Sequence, residues 1–551
     1  MDRRAGGGAR TSISEKMPGR RCKTEQNYDD RIMNIKRAKE EIKNTIRAYL
    51  TKDSHGEYEI PSMRQSPVLL MGPPGIGKTQ IMEQVARECR IGLVSYTITH
   101  HTRQSAIGLP FISEKNYGGV YKHVTEYTMS EIVAAIYDKM EETGLKEGLL
   151  FIDEINCVSE TLAPAMLQFL QYKTCGNHKI PDGWIIAAAG NPPEYNKSVR
   201  DFDIATLDRI KRIDVEADFG VWKEYAKQAE IHPAIVSYLT AKPQHFYQVE
   251  TTEDGRRFAT PRGWEDLSRF LEVYEKIGLP CDREVVSQYI QHAKIAKDFA
   301  NYLELYYKYQ SQYQIDEVLA GKRNERLMEL AAKAEFDEKI SVIGLLLAKL
   351  NVEFGKAGNM ESYLELLFGK LKEYKGMLGA PEAEVDPETT AEAEGVARTP
   401  LQLFTALSEE LQAEYEQKKK AVLLTRAEQY RYRDVLDTMN RYFQTAKTEN
   451  LMESEEIFGR FAGMFGEEQE QYEEQCAKAL QMLEYAFDFM EGTYGDSQEM
   501  VIFITELNTS YHAVKFLAEN SCERYFQYNK RLLFEDREAD IIKKLDRLGE
   551  F

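Results

Sequence analysis

Apolar residues follow two rhythms along this chain, and the change between them falls near Asp218. Before it, short apolar runs end in glycine or polar residues. "SPVLLMG" (Ser66–Gly72), "IGLVSYTIT" (Ile91–Thr99), "GLLFIDEIN" (Gly148–Asn156), "GWIIAAAGNP" (Gly183–Pro192) and "IKRIDVEAD" (Ile210–Asp218) read as strands. Their near-continuous apolarity predicts strands covered on both faces. Helical spacing lies between and before them. It runs from Tyr28 to Leu50 (through Ile32, Ile35, Ile42 and Ile46), from Met129 to Met140 and from Thr161 to Leu170. Strands alternating with helices predict a parallel sheet with helices on both sides.

After Asp218 the strands are expected to stop. "GVWKEYAKQAEI", "PAIVSYLTAK" and "RGWEDLSRFLEVYEKI" read as helices, and from Cys281 onward the chain is helical and acidic. Ile343, Leu346, Leu347 and Leu350 form one apolar stripe. Leu480, Leu483, Phe487 and Met490 form another. Tyr302, Tyr306, Tyr307, Tyr309 and Tyr313 crowd one helix, where core and interface packing is the plain reading and a peptide-binding surface the sharper one. "GAPEAEVDPETTAEAEGVARTP" (Gly379–Pro400) is rich in Pro, Ala and Glu and reads as a mobile acidic linker. No internal repeat stands out.

Composition narrows the function. The chain has 551 residues, which as a prior allows about three or four domains. It is 43% hydrophobic and 29% charged, with a formal net charge of −19. Such a chain repels phosphate backbones, so broad nucleic-acid binding is disfavoured. Seven scattered cysteines, Cys22, Cys89, Cys157, Cys175, Cys281, Cys476 and Cys522, form no C-x-x-C pair and read as reduced thiols of a cytoplasmic protein. No run of about 18 apolar residues is present, so no membrane span is expected. The Gly-rich basic start lacks a signal-peptide centre and reads as a disordered tail, with Met17 and Met33 as alternative starts.

The chemistry begins at "GPPGIGKT". Gly72, Pro73, Pro74, Gly75, Ile76, Gly77, Lys78, Thr79 and Gln80 make a complete P-loop between a strand and the helical "TQIMEQVAREC". Glycines let backbone N–H groups converge on phosphate oxygens, and the helix N-terminus adds its positive dipole end. Lys78 is expected to reach the β- and γ-phosphates, and the Thr79 hydroxyl to ligate Mg²⁺. "LLFIDEIN" places Asp153 at the carboxyl end of a buried strand, where it can hold Mg²⁺. Glu154 beside it can polarise the attacking water. ATP and Mg²⁺ are therefore the expected ligands, and hydrolysis the expected activity. Paired His100 and His101 lack the further ligands a zinc site needs.

On these residues the stretch from about 30 to 275 resembles an AAA+ ATPase, and more narrowly the MoxR-like branch. The resemblance implies an α/β P-loop core with a parallel sheet and a helical lid, here followed by a long all-α C-terminal region. It implies that "AAAGNPPEYN" is the sensor-1 strand, with Asn191 contacting the γ-phosphate and the water. "LDRIKRIDVE" is similar to the "LDRF" element, with Arg209 as an arginine finger inserted into a neighbour's site. Arg212 lies near enough to take that role instead. "ATPRGWEDL" is similar to the sensor-2 helix start, with Arg262 touching the γ-phosphate. The plain alternatives are a surface cation for Arg209, a helix-start charge for Arg262 and a turn Asn before two prolines for Asn191. "SAIGLP" (Ser105–Pro110) sits where the branch carries an insert, and "QYKTCGNHKIPDG" where it carries a pre-sensor hairpin. In this branch such elements face a central pore or a partner. The sequence departs from the pattern at "DRI" and in the hairpin, which is its own.

The divisions implied are a disordered tail at 1–27, the ATPase core at 28–218, the lid at 219–280, a helical region at 281–378, the linker at 379–400 and a helical C-terminal domain at 401–551. An arginine supplied in trans couples hydrolysis to a subunit interface, and head-to-tail contacts close into rings. The resemblance implies a hexamer. It also implies a chaperone or remodeller acting on protein, with a von Willebrand factor A domain protein as a possible partner. A nucleic-acid-directed motor and a nucleotide-gated scaffold are the competing readings.

Overall fold

The computed structural model describes residues 32–532 apart from 101, 177, 196–201, 203, 253–254 and 380–398. The tail at 1–27, His101, most of the 379–400 linker and the end of the C-terminal region lie outside the described residues.

The apolar runs form the expected sheet. Its strands are β1 (Ile32–Asn34), β2 (Val68–Met71), β3 (Gly92–Thr97), β6 (Gly148–Asp153), β9 (Trp184–Gly190) and β10 (Lys211–Glu216), ordered β1-β10-β2-β9-β6-β3. All five pairings are parallel. Burial follows the pleat on both faces. Val68 and Leu70 pack with Ile42, Ile81 and Val85, while Leu69 and Met71 pack with Ile132, Met166 and Phe169. The first face is covered by α1 (Ile35–Leu50) and α2 (Lys78–Cys89), the second by α4 (Glu131–Thr143) and α5 (Ala163–Tyr172). The expected helix from Tyr28 is corrected at its start. Ile32–Asn34 instead pair with Asp214–Glu216 as an edge strand, and Asn34 caps α1 by accepting from the Arg37 N–H.

Two hairpins interrupt the core. A short helix α3 (Arg103–Ile107) leads into β4 (Pro110–Tyr117) and β5 (Val120–Tyr127), which pair only with each other. The reading of this insert as Ser105–Pro110 thus caught only its beginning. β7 (Thr174–Cys175) and β8 (His178–Lys179) form a small hairpin before β9. A short helix α6 (Ile204–Leu207) precedes β10.

The lid contains α7 (Phe219–Gln228), α8 (Pro233–Ala241) and α9 (Pro261–Ile277). Strands do not stop at Asp218: β11 (Gln248–Thr252) and β12 (Gly255–Ala259) form a hairpin before α9. Its strands "QVETT" and "GRRFA" are mostly polar. A ribbon that leans on its own ladder and buries little leaves no apolar run to read.

The rest is helical: α10 (Arg283–Tyr289), α11 (Ala293–Gln312), α12 (Ile315–Leu319), α13 (Glu325–Ala332), α14 (Phe336–Gly379), α15 (Pro400–Lys420), α16 (Arg426–Thr448), α17 (Ser454–Tyr494), α18 (Gln498–Thr509) and α19 (Tyr511–Glu519). α14 and α17, of 44 and 41 residues, each serve two cores. One core joins Leu367, Leu371 and Tyr374 of α14 to Phe404, Tyr442 and Phe461. The other joins Ile343, Leu346 and Leu350 of α14 to Leu483, Phe487 and Met490 of α17, and also to Trp222, Tyr238 and Trp264 of the lid. Helices on either side of the 379–400 segment therefore share both cores. The tyrosine row of α11 belongs to the second, with Tyr306 and Tyr313 buried. No helix among the described residues is long and apolar enough to cross a membrane.

Candidate functional site

The carboxyl ends of β2, β9 and β6 lie side by side, with Met71 opposite Gly190 and Ile152 opposite Ala188. The crevice beyond such strand ends is where open α/β sheets bind ligands. Four sequence-predicted segments meet there. The P-loop leaves β2, turns through Gly75 (φ +79°) and Gly77 (φ +92°), and enters α2 at Lys78. Those left-handed angles are strained for any residue with a Cβ, so the glycines are needed for the turn itself. No side chain caps α2, which leaves its first N–H groups to the crevice.

Lys78 is the hub. Its ammonium donates to the carbonyls of Gly72 and Pro73, both at 2.8 Å, and to Asn191 Oδ1 at 2.9 Å. Burial pushes its pKa down to about 8. The nearby positive charge of Arg262 adds to that shift, and the carboxylates of Asp153 and Glu154 oppose it. Thr79 Oγ1 donates to Asp153 Oδ2 at 2.9 Å, and the Glu154 N–H donates to Asp153 Oδ1 at 2.9 Å. Glu154 sits at φ +56°, a left-handed conformation that a non-glycine residue adopts only where its surroundings hold it there.

The lid closes one side. Arg262 donates its main-chain N–H to the Gly75 carbonyl at 3.1 Å, and Thr260, which caps α9, packs on Gly75. Three residues along α9, buried Glu265 accepts from Gln80 Nε2 at 3.3 Å, from the Tyr225 hydroxyl at 3.1 Å and from Arg269. Gln80 thus ties the P-loop helix to the lid. The β11–β12 hairpin reaches the loop after β9, where Arg256 donates to the Tyr195 carbonyl.

Arg209 and Arg212 stand apart from this cluster. Arg209 is exposed in the turn before β10 and donates to Gln171 Oε1 of α5 at 2.6 Å. Arg212 pairs with Asp214 on its own strand at 2.8 Å.

Two residues of the site escaped the sequence reading. Asn156 is 3% exposed and binds the main chain of Asn191. Its signal was a lone amide two residues past the acidic pair, within the quoted "DEIN". Glu265 is a carboxylate on the apolar face of α9, beside Trp264, Leu267 and Ser268. Arg269, one helical turn on, is its local partner, and an acid buried on an apolar face marks a tertiary partner as well.

The donor set fits a magnesium-bound triphosphate. Thr79 and Asp153 offer two hard oxygens already in contact, an ammonium faces the same crevice, and the helix end above it is uncapped. Such a site on such a sheet has the arrangement of the P-loop AAA+ fold. Residues 68–215 match the family model described as "ATPase family associated with various cellular activities (AAA)". No curated protein matches the chain. Among solved structures it is similar to three mutants of RuvB from Thermotoga maritima, at 15%, 17% and 16% identity. The matches cover 48%, 46% and 48% of this chain and 70%, 69% and 71% of those chains, with TM-scores of 0.26, 0.27 and 0.25. Likenesses this distant assign no activity.

Proposed function

We propose that this chain hydrolyses ATP and uses the energy to remodel a protein partner, as a MoxR-like ring. The observation that supports this most is the hydrogen-bonded convergence of Lys78, Thr79, Asp153 and Asn191 at the strand ends, with Arg262 in charge range of Lys78.

In this reading Thr79 and Asp153 hold Mg²⁺, which when bound neutralises charge on the β- and γ-phosphoryl oxygens. Lys78 exchanges its carbonyl partners for phosphoryl oxygens, and its third proton keeps Asn191 in place. Glu154 accepts a proton from the attacking water, and Asn191 orients that water. Arg262 brings positive charge from the lid. Arg209 brings it from the neighbouring subunit. Its exposure, and a hydrogen-bond partner outside its own Lys78 cluster, suit a residue that acts in trans. A hexamer follows from the same resemblance.

The partner-facing surfaces are the β4–β5 ribbon and the β7–β8 hairpin. The ribbon supports the protein-directed reading because Phe111, Ile112, Tyr117, Val120 and Tyr121 stand exposed on it, with Ile112 at 76% and Tyr121 at 67%. A von Willebrand factor A domain protein is the partner class this branch suggests. A cytoplasmic location belongs to the same reading; among the described residues six cysteines form no disulfide.

Magnesium-dependent phosphate release tests the reading. Glu154→Gln should lower turnover roughly 10²- to 10⁴-fold while ATP still binds, and Lys78→Ala should lose ATP binding. A pull-down with Glu154→Gln should retain the partner. Absence of turnover in every assembly state of the wild type defeats the proposal.

A further inference from the structure

We infer that Asn156 is a positioning residue of the proposed ATPase, a clasp that aims Asn191 at the reacting phosphoryl group. The inference rests on the reading of the site as an ATPase.

Three observations carry it. First, the amide of Asn156 grips one residue by both its main-chain N–H and its carbonyl. Nδ2 donates to the Asn191 carbonyl at 2.8 Å, and the Asn191 N–H donates to Oδ1 at 3.3 Å. Asn191 is the first residue past β9, where the ladder no longer pairs its main chain, so the side chain takes over that task. Second, the fit is close. A Cβ on Gly190 would lie 2.7 Å from Asn156 Oδ1 and 2.9 Å from its Cγ. The amide therefore seats only against a residue with no side chain. Third, the clasp bridges the two halves of the chemistry. Asn156 follows Asp153 and Glu154 by three and two positions, on the 3₁₀ turn Ile155–Cys157, and the residue it grips accepts from Lys78 at 2.9 Å. Beyond the ladder that already pairs β6 with β9, the turn after the carboxylates, the residue after β9 and the P-loop lysine are thus linked through two amides, those of Asn156 and Asn191. Glu154 in its left-handed turn is what swings Asn156 back toward β9.

A displacement of about 1 Å at a reacting group can cost on the order of 10²-fold in rate. Asn156→Ala is accordingly expected to lower kcat by about 10²-fold, with nucleotide affinity changed by no more than about 3-fold, because the interaction serves the transition state. A filler role predicts something else: lower stability and no selective loss of kcat. The decisive experiment is a double-mutant cycle with Asn191→Ala. If Asn156 acts by aiming the Asn191 side chain, then removing that side chain first leaves Asn156→Ala with little further effect on kcat. An equal loss in both backgrounds overturns the clasp.

Gly190→Ala provides a second route should Asn156→Ala not fold. The added methyl group crowds the amide without altering it, and meets Met71 Sδ, the end of a flexible side chain, at 2.9 Å. It should reproduce the kcat loss and the non-additivity, and full kcat in this variant overturns the inference. Hydrogen exchange separates the clasp from the ATPase reading. The Asn191 N–H should lose protection in Asn156→Ala whether or not the wild type turns over. A silent wild type with that loss of protection sinks the ATPase reading alone. Unchanged exchange at Asn191 sinks the clasp.

Discussion

The crevice at the strand ends and the helical half of this chain are built on opposite terms. In the crevice, residues as far apart in sequence as Lys78 and Asn191 come within hydrogen-bond distance, and they do so as a buried ammonium, two carboxylates and amides. Little apolar surface is involved, and the arrangement is held by the sheet beneath it. In the helical half, two helices of 44 and 41 residues run through successive apolar cores. Charged residues there pair mostly at the surface, as Lys333 with Glu329 and Arg531 with Asp496. One region concentrates chemistry in a few side chains. The other spreads stability over many and fixes a shape.

The lid belongs energetically to the second region although it closes the first. Its Trp222, Tyr238 and Trp264 share a core with Leu483, Phe487 and Phe516. Half-buried Glu506 of α18 binds Lys227 of α7 at 2.8 Å, and also Lys223. The helical half meets the ATPase core far more lightly, at the junction of α15 and α4. There Lys139 donates to the Lys420 carbonyl at 2.9 Å and Gln417 to the Thr143 carbonyl at 3.4 Å. Lid and helical half are therefore expected to move together, and the polar junction to give way first.

The contrast can be broken in several places. The largest effect is expected at Arg209. Arg209→Ala should lower turnover of the assembled protein by roughly 10³- to 10⁵-fold, measured by phosphate release across a dilution series. Full activity in demonstrably monomeric protein rules out a finger in trans. Next comes Phe487, which is fully buried between Phe503 and Tyr528. Phe487→Ala should cost about 3–5 kcal/mol. Denaturant unfolding followed by the fluorescence of Trp222 and Trp264 should report it, because the lid shares that core. Lid tryptophans that unfold at the wild-type midpoint would separate lid from helical half.

The pH dependence of binding is the next in size. Free Lys78 titrates at about 8, and a bound triphosphate holds it charged. Binding above pH 8 must then take up as much as one proton, and affinity should fall up to about tenfold per pH unit from there toward the bound-state pKa. The same shift acts on folding with the opposite sign. Between about 8 and the unfolded value of 10.5 the native state binds fewer protons, so this residue's contribution to stability rises with pH. Calorimetry in buffers of different ionisation enthalpy at pH 9 measures the uptake. No uptake means that Lys78 does not meet the phosphates. The smallest effect belongs to the junction: Gln417→Ala should change stability by about 1 kcal/mol or less. A larger loss would show that the helical half is anchored to the core after all.

The site was more legible than the fold around it. The P-loop and acidic pair are readable because their chemistry needs fixed local spacing: glycines where φ must be positive, a lysine at the helix start, acids at a strand end. Sensor and lid residues were reached only through a family resemblance, since their partners lie over a hundred residues away. The hairpins β4–β5 and β11–β12 were missed because the first is exposed on both faces and the second buries little, so neither leaves an apolar run. The helical half offered amphipathic stripes, and those stripes are indeed buried, but periodicity does not say which stripe meets which.

What the sequence determined by itself was local: the buried strands of the central sheet with the helices between them, and which short segments can grip a phosphate, because backbone angles and side-chain chemistry are set within a few residues. The tertiary structure alone decided which of those segments meet. It placed Asn156 on Asn191 and Glu265 on Gln80, and it joined the lid to helices two hundred residues further on. Hydrogen bonds and apolar burial between distant segments depend on the packed geometry of the whole chain, which no window of sequence contains.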